Sequence, residues 1–192
     1  MSPAPLLPDT RRPGPRRLRL VRRFRTADGG ATAVEFGLVA VPFLALLFAI
    51  IETAMTFWAT QVLETALATA SRQLYTGTFQ KQYTDATAAR TAFKSAVCAN
   101  VRGVFNCNAL VDVDVRKVTS FSSANLAPPI NSAKQYDISS YGYVKPDRSE
   151  IAVVRASMQY PRFVSLPGPG TALANGKRLI VATNTFKTEP YE

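Results

Sequence analysis

From Gly30 to Ile51 the chain reads GATAVEFGLVAVPFLALLFAII, with one carboxylate, Glu35, followed by sixteen residues without a charge. Such a run has to leave water, either in a protein core or in lipid. As a helix rising ~1.5 Å per residue, Ala31 to Ile51 extends about 31 Å, close to the ~30 Å hydrocarbon thickness of a bilayer. Eight arginines precede the run, and no Lys or Arg follows it until Arg72. This asymmetry favours an inserted helix with its N-terminus in the cytoplasm and the C-terminal part outside. A carboxylate costs about 2.5–3.5 kcal/mol at the centre of a membrane helix and less towards an interface, so Glu35 calls for a partner.

The formal charge of +10 is mostly a tail effect, because residues 1–30 hold eight Arg against Asp9 and Asp28, a net +6. A basic tail is read either as nucleic-acid contact or as retention beside a membrane helix, and the adjoining apolar run favours retention. Five prolines before residue 16 argue against regular structure at the start. Arg16 to Arg25 either is disordered or forms a short basic helix with Leu18, Leu20, Val21 and Phe24 towards anionic headgroups. A cleaved secretory signal would need an A-x-A-like site, and none lies in the ten residues after Ile51. A buried helix of a soluble domain would leave the arginine asymmetry as coincidence. Within the run, Pro42 frees one backbone carbonyl and is expected to bend the helix. Phe57 and Trp58 suit an interfacial anchor. Glu52 reads as a solvated boundary residue.

Past the membrane, Met55, Trp58, Val62, Ala66, Ala70 and Leu74 step by three or four, so the helix is expected to run from about Thr32 to Tyr75 and stop at Gly77. Thr84 can cap a second helix whose Ala89, Phe93, Val97 and Val101 form a stripe. In LVDVDVRKV, Val111, Val113 and Val115 alternate with Asp112, Asp114 and Arg116, the pattern of a half-buried strand with exposed charges. Residues 119–149 read as a long exposed connection with a short edge strand near Tyr141–Val144. IAVVRASMQY places Ala152, Val154, Ala156, Met158 and Tyr160 on one face; Pro161 and the PGPG at 167–170 close it, and RLIVATNTF supplies the last strand. The fold class expected is α+β: a long N-terminal transmembrane and stalk helix, a second helix, and a small antiparallel sheet of three to four strands. Three regions follow: a basic leader over 1–30, the transmembrane and stalk helix over 31–76, and an external head over 77–192.

Cys98 and Cys107 are the only cysteines. Outside the cytoplasm an even pair invites a disulfide, which for so small a loop is worth roughly 2.5–3 kcal/mol by chain entropy. Two reduced thiols are the alternative. Zinc is disfavoured, since the chain has no His and C-x8-C lacks metal-ligand spacing. No metal or other cofactor is expected. Without His the usual base of a Ser or Cys nucleophile is missing, and no phosphate-cradling glycine motif or G-x-S-x-G occurs. No enzyme activity, small-molecule substrate or nucleic-acid partner is therefore expected.

A basic tail, Gly30, Glu35 five residues later, Phe36 and then an apolar run resemble a prepilin-type leader and stalk. More specifically, DGGATAVEFGLVAVPFLALLFAIIETA resembles the TadE-like pseudopilins, minor pilins of the tight-adherence (Tad/Flp) type IV pilus system. FKSAVCANVRGVFNCNALVDVDVRKVTSF is similar to that family's cysteine-flanked segment and following strand, and NGKRLIVATNTFKTEPYE to its C-terminal strand. The likeness covers most of the chain from about residue 22, least over 119–150. It implies a pilin-like fold and cleavage by a prepilin peptidase between Gly30 and Ala31, with Gly30, Glu35 and Phe36 as the recognition residues. It also implies that Glu35 meets the new Ala31 amine of a neighbouring subunit. The implied partners are the peptidase, other pilins and pseudopilins, an inner-membrane assembly platform and the bilayer. The implied location is a bacterial inner membrane, spanned once, with the head periplasmic. Major subunits of such pili are very small and nearly all helix, so a head of roughly 115 residues suits a minor subunit. An unprocessed single-pass protein with a periplasmic binding or scaffolding head is the competing expectation. An enzyme on a membrane anchor would need paired carboxylates in a concave site, which the sequence does not offer.

Overall fold

In the computed structural model the described residues are 28–101, 103, 105–163 and 171–190. The expected basic helix at Arg16–Arg25 and the PGPG turn at 167–170 lie outside them. By internal contacts the chain divides into a first unit ending at Leu47 and a second from Phe48 to Glu192.

Helix α1 (Asp28–Tyr75) starts earlier than the expected Thr32 and runs unbroken through Pro42. In the first unit its apolar side chains, among them Val34, Phe36, Leu38, Val41 and Phe43, are exposed. It is the one helix among the described residues long and apolar enough to cross a membrane.

In the second unit, one side of α1 enters a core. Ala59, Leu63, Ala66, Leu67, Ala70 and Leu74 are buried, whereas Met55 and Trp58 of the expected stripe are exposed. The core stripe follows the small and leucine side chains that allow close helix–sheet approach, leaving Met55 and Trp58 on another side. Gly77, at φ 75°, takes the left-handed conformation that ends α1. A short helix α2 (Thr78–Gln82) follows, and its Phe79 meets Phe93 edge-on at 5.8 Å between ring centroids. Helix α3 spans Ala86–Ala99 and is capped by Asp85, whose side chain accepts from the Ala88 amide, rather than by Thr84. The expected stripe Ala89, Phe93, Val97 and Val101 is buried. Helix α4 is a single turn, Cys107–Leu110.

The sheet is antiparallel, in the order β1 (Val111–Val118), β2 (Ile151–Tyr160), β4 (Arg178–Lys187) and a two-residue edge, β3 (Thr171–Ala172). The α+β class is as expected. One sheet face completes the core: Val111, Val113 and Val115 from β1, and Ala152, Val154, Ala156, Met158 and Tyr160 from β2.

The other face is not the solvated surface expected of it. Val153, Arg155 and Ser157 of β2 are also buried, because the 119–150 connection folds back over them. The expected edge strand reduces to a single parallel bridge, Val115 with Tyr143, flanked by bonds from the Val115 amide to the Gly142 carbonyl and from the Val144 amide to the Val115 carbonyl. Tyr141 and Tyr143 are buried, which corrects the expectation of an exposed loop.

The expectation of exposed strand charges fails at Asp114, which is only 1% exposed. Asp114 lies opposite Arg155 in the β1–β2 register. Its Oδ2 accepts from Arg155 Nη2 at 2.8 Å and Nε at 3.2 Å. Arg116 Nε lies 2.9 Å from the same oxygen, and the Gly142 amide donates to Oδ1 at 2.9 Å. Arg155 also donates to the Ala127 carbonyl at 3.0 Å and lies 5.1 Å from the Tyr141 ring centroid. Arg116 donates to the Ser140 carbonyl. Asp112, half-buried, accepts from the Tyr136 hydroxyl at 3.0 Å. These bonds tie the connection down residue by residue, which replaces the hydration the charges would otherwise lose.

Candidate functional site

The candidate site is the first two turns of α1. Gly30 and Ala31 lie within the helix, two to three residues from its start at Asp28. First-turn amides have no intrahelical acceptor, and adjacent glycines weaken a helix by about 1 kcal/mol each relative to Ala, so α1 is weakly held at Gly29–Gly30. Glu35 stands four residues beyond Ala31, one turn along on the same side. It is exposed, as is Phe36 beside it. Among the described residues the Glu35 side chain makes no hydrogen bond or ion pair; the neighbouring side chains are apolar apart from Thr32. The structure thus presents a carboxylate on an otherwise uncharged apolar surface, within one turn of the expected cut.

The second sequence-derived site is covalent. Cys98, near the end of α3, and Cys107, at the start of α4, form a disulfide with Cα atoms 5.4 Å apart. It closes the turn that delivers the chain into β1. No group of three or more His, Cys, Asp or Glu side chains among the described residues could hold a metal ion.

Sequence reasoning misplaced one charged residue on α1. Glu52, expected to be solvated, is only 8% exposed. It follows the apolar run directly, but there the helix already packs in the second unit. Buried Arg178, at the start of β4, donates to Thr56 Oγ1 at 3.3 Å, one turn beyond Glu52. The hydroxyl of Tyr160 is pushed above its ordinary range by burial and then by the negative charge of Glu52. Burial likewise raises Tyr141 and, far more strongly, Tyr136. The signal available for Glu52 was its place seven residues, two turns, before Ala59 on the side of the helix that is covered.

A helix long and apolar enough to span a bilayer once, joined to a disulfide-bonded α+β unit, is consistent with single-pass membrane anchoring. Residues 30–72 match the family model described as TadE-like protein. The match begins at Gly30 and covers Ala31, Glu35, Phe36, the apolar run and all of the core stripe of α1 except Leu74. It bears out the resemblance drawn from the leader and stalk. No curated protein and no solved structure matches the chain significantly.

Proposed function

We propose that the chain is a minor pilin or pseudopilin of a tight-adherence type IV pilus, matured by a prepilin peptidase that cuts between Gly30 and Ala31. In this reading residues 1–30 are a cytoplasmic leader, 31–76 the membrane and stalk helix, and 77–192 a periplasmic head. The observation that carries it is Glu35, a carboxylate exposed on an apolar helix, unpartnered among the described residues, and one turn from Ala31.

Cleavage gives Ala31 an α-amine with an ordinary pKa of about 7.7–8.0, cationic at neutral pH. The Ala31 amine of a neighbouring subunit then reaches Glu35, and two isolated charges in lipid become one hydrogen-bonded pair. Glu35 thereby makes assembly depend on prior cleavage, since the uncut chain has no amine at Ala31. Gly30 lets the peptidase approach an unencumbered backbone, and the weak Gly29–Gly30 turn unwinds readily to present it. The other partners are further pilins and an inner-membrane assembly platform; the role is structural and not enzymatic.

N-terminal sequencing of membrane-purified protein tests the cut, with Ala31-Thr32-Ala33 as the expected start. Glu35→Ala is expected to insert and be cleaved but to leave cells without pili while protein levels persist. Normal piliation in that variant overturns the pairing role. The continuous helix across Gly30–Ala31 favours a second reading, an uncut single-pass protein with a periplasmic binding or scaffolding head. A full-length chain in cells with active peptidase would establish that reading instead.

A further inference from the structure

The second unit carries a groove that the pilus reading does not use. It encloses about 450 Å³ and is lined by Gln135, Tyr136, Gln159, Ala174 and Asn175. That lies within the roughly 300–1,000 Å³ range of small-molecule sites. Three of its five lining residues are carboxamides, and none is an acid, a lysine or an arginine.

Its walls are held rigidly. The 131–136 turn is closed by the Asn131 side chain, which accepts from the Ala133 and Gln135 amides at 3.0 and 2.9 Å. Lys134 in that turn has φ 56°, a left-handed conformation costly for a residue with a side chain. The Ala174 amide donates to the Lys134 carbonyl at 2.9 Å, joining this turn to the 173–177 hairpin turn opposite. Tyr136 is fixed from behind, its hydroxyl 3.0 Å from Asp112 Oδ2 and 2.9 Å from Ser157 Oγ. Its hydroxyl is therefore committed inside the protein, and the ring is what it contributes to the groove.

The amides are pre-aimed as well. Asn175 Nδ2 donates to Gln159 Oε1 at 2.6 Å, and Asn175 Oδ1 accepts from the Lys177 amide at 3.1 Å. Gln135 Oε1 accepts from Asn131 Nδ2 at 3.1 Å. Among the described residues these bonds leave Nε2 of Gln135 and Nε2 of Gln159 as unused donors, with spare acceptor capacity on the carboxamide oxygens. Fixed neutral donors and acceptors beside one held aromatic ring match the vicinal hydroxyl pairs and the C–H face of a pyranose ring. They offer no charge compensation to a phosphate, a carboxylate or an amine.

The geometry points to a binding site for a neutral glycan, with Gln159 and Asn175 reading hydroxyl or acetamido groups and Tyr136 supporting the sugar ring. This goes beyond the assembly role and stands independently of how Glu35 is used. The glycan could be a cell-wall chain carrying N-acetyl groups or an external glucan, and both present the same hydroxyl pattern.

The test uses the full-length protein in detergent, titrated with the tetramer of N-acetylglucosamine and separately with a glucose tetramer, and followed by ligand-detected NMR. Saturable binding of at least one is expected, weakened at least about tenfold by Gln159→Ala and by Asn175→Ala. Lys81→Ala, remote from the groove lining, should leave it unchanged. Near-ultraviolet circular dichroism checks that each variant is folded; should Gln159→Ala fail to fold, exposed Asn175→Ala carries the test. Binding of the acetylated tetramer alone selects a cell-wall source, and binding of both selects a general glucan site. No binding of either up to about 10 mM, or binding that survives both groove substitutions, overturns the proposal.

Discussion

Arg155→Met isolates the bond system that holds the 119–150 connection against the sheet. Arg155 is only 4% exposed, and its removal takes two hydrogen bonds from Asp114, one from the Ala127 carbonyl and the stack on Tyr141. Breaking a buried ion pair by deleting one partner costs about 3–5 kcal/mol. Asp114 keeps the partly exposed Arg116 and the Gly142 amide, so the low end applies, about 3 kcal/mol. For a folded unit of this size that corresponds to a Tm lower by roughly 6–12 °C. Denaturant unfolding of the detergent-solubilised protein, followed by near-ultraviolet circular dichroism, measures it. Hydrogen exchange should show 127–144 opening before the β-ladders. The paired variant Asp114→Leu with Arg155→Met removes both charges and should recover most of the loss, ending within about 1 kcal/mol of the parent. A single variant costing less than about 1 kcal/mol, or a double variant worse than the single, refutes the reasoning that a buried pair fastens this segment.

Replacing both cysteines by serine should cost about 2.5–3 kcal/mol, read as a shift in denaturant midpoint that dithiothreitol reproduces in the parent protein. Phe93→Ala, which empties the centre of the core between α3 and Phe79, should cost about 3–5 kcal/mol by the same unfolding measurement. Alkaline pH should destabilise the head. The Tyr136, Tyr141 and Tyr160 hydroxyls are raised above the ordinary 10.0, mainly by burial, so the unfolded chain loses these protons first. Stability should therefore be intact below about pH 10 and fall as pH rises beyond it, and Tyr136→Phe should flatten that fall in a pH-resolved unfolding series. Gly30→Val should block maturation without preventing insertion, seen as full-length protein in the membrane fraction.

What was legible in the sequence was periodic. Val111, Val113 and Val115 alternate with polar residues, and Ala89, Phe93, Val97 and Val101 recur at four, so β1 and α3 followed from spacing alone. The Glu35 motif was visible because a lone carboxylate interrupts an apolar run. The residues that escaped are those whose burial depends on distant chain. Asp114 reads as an exposed charge until the register sets it opposite Arg155, and the 119–150 connection reads as solvated because its serines, asparagines and prolines have no period. The odd sign was Arg155 itself, the one charged side chain in IAVVRASMQY, which has to find an acid when both faces of β2 are covered. Glu52 was missed for the converse reason: the apolar run ends just before it, but the packed part of α1 has already begun.

The central position of β2 sets an order of events during synthesis. Its partners β1 and β4 lie on either side of it in sequence, so β2 meets β1 before β4 exists. The β1–β2 ladder can close once Tyr160 has been made, whereas the β2–β4 ladder waits for Lys187. Until then Leu63, Leu67 and Leu74 lack part of the core that covers them. A chain arranged in this way spends part of its synthesis with an apolar surface uncovered, so its yield in cells should track holding chaperones more closely than its equilibrium stability.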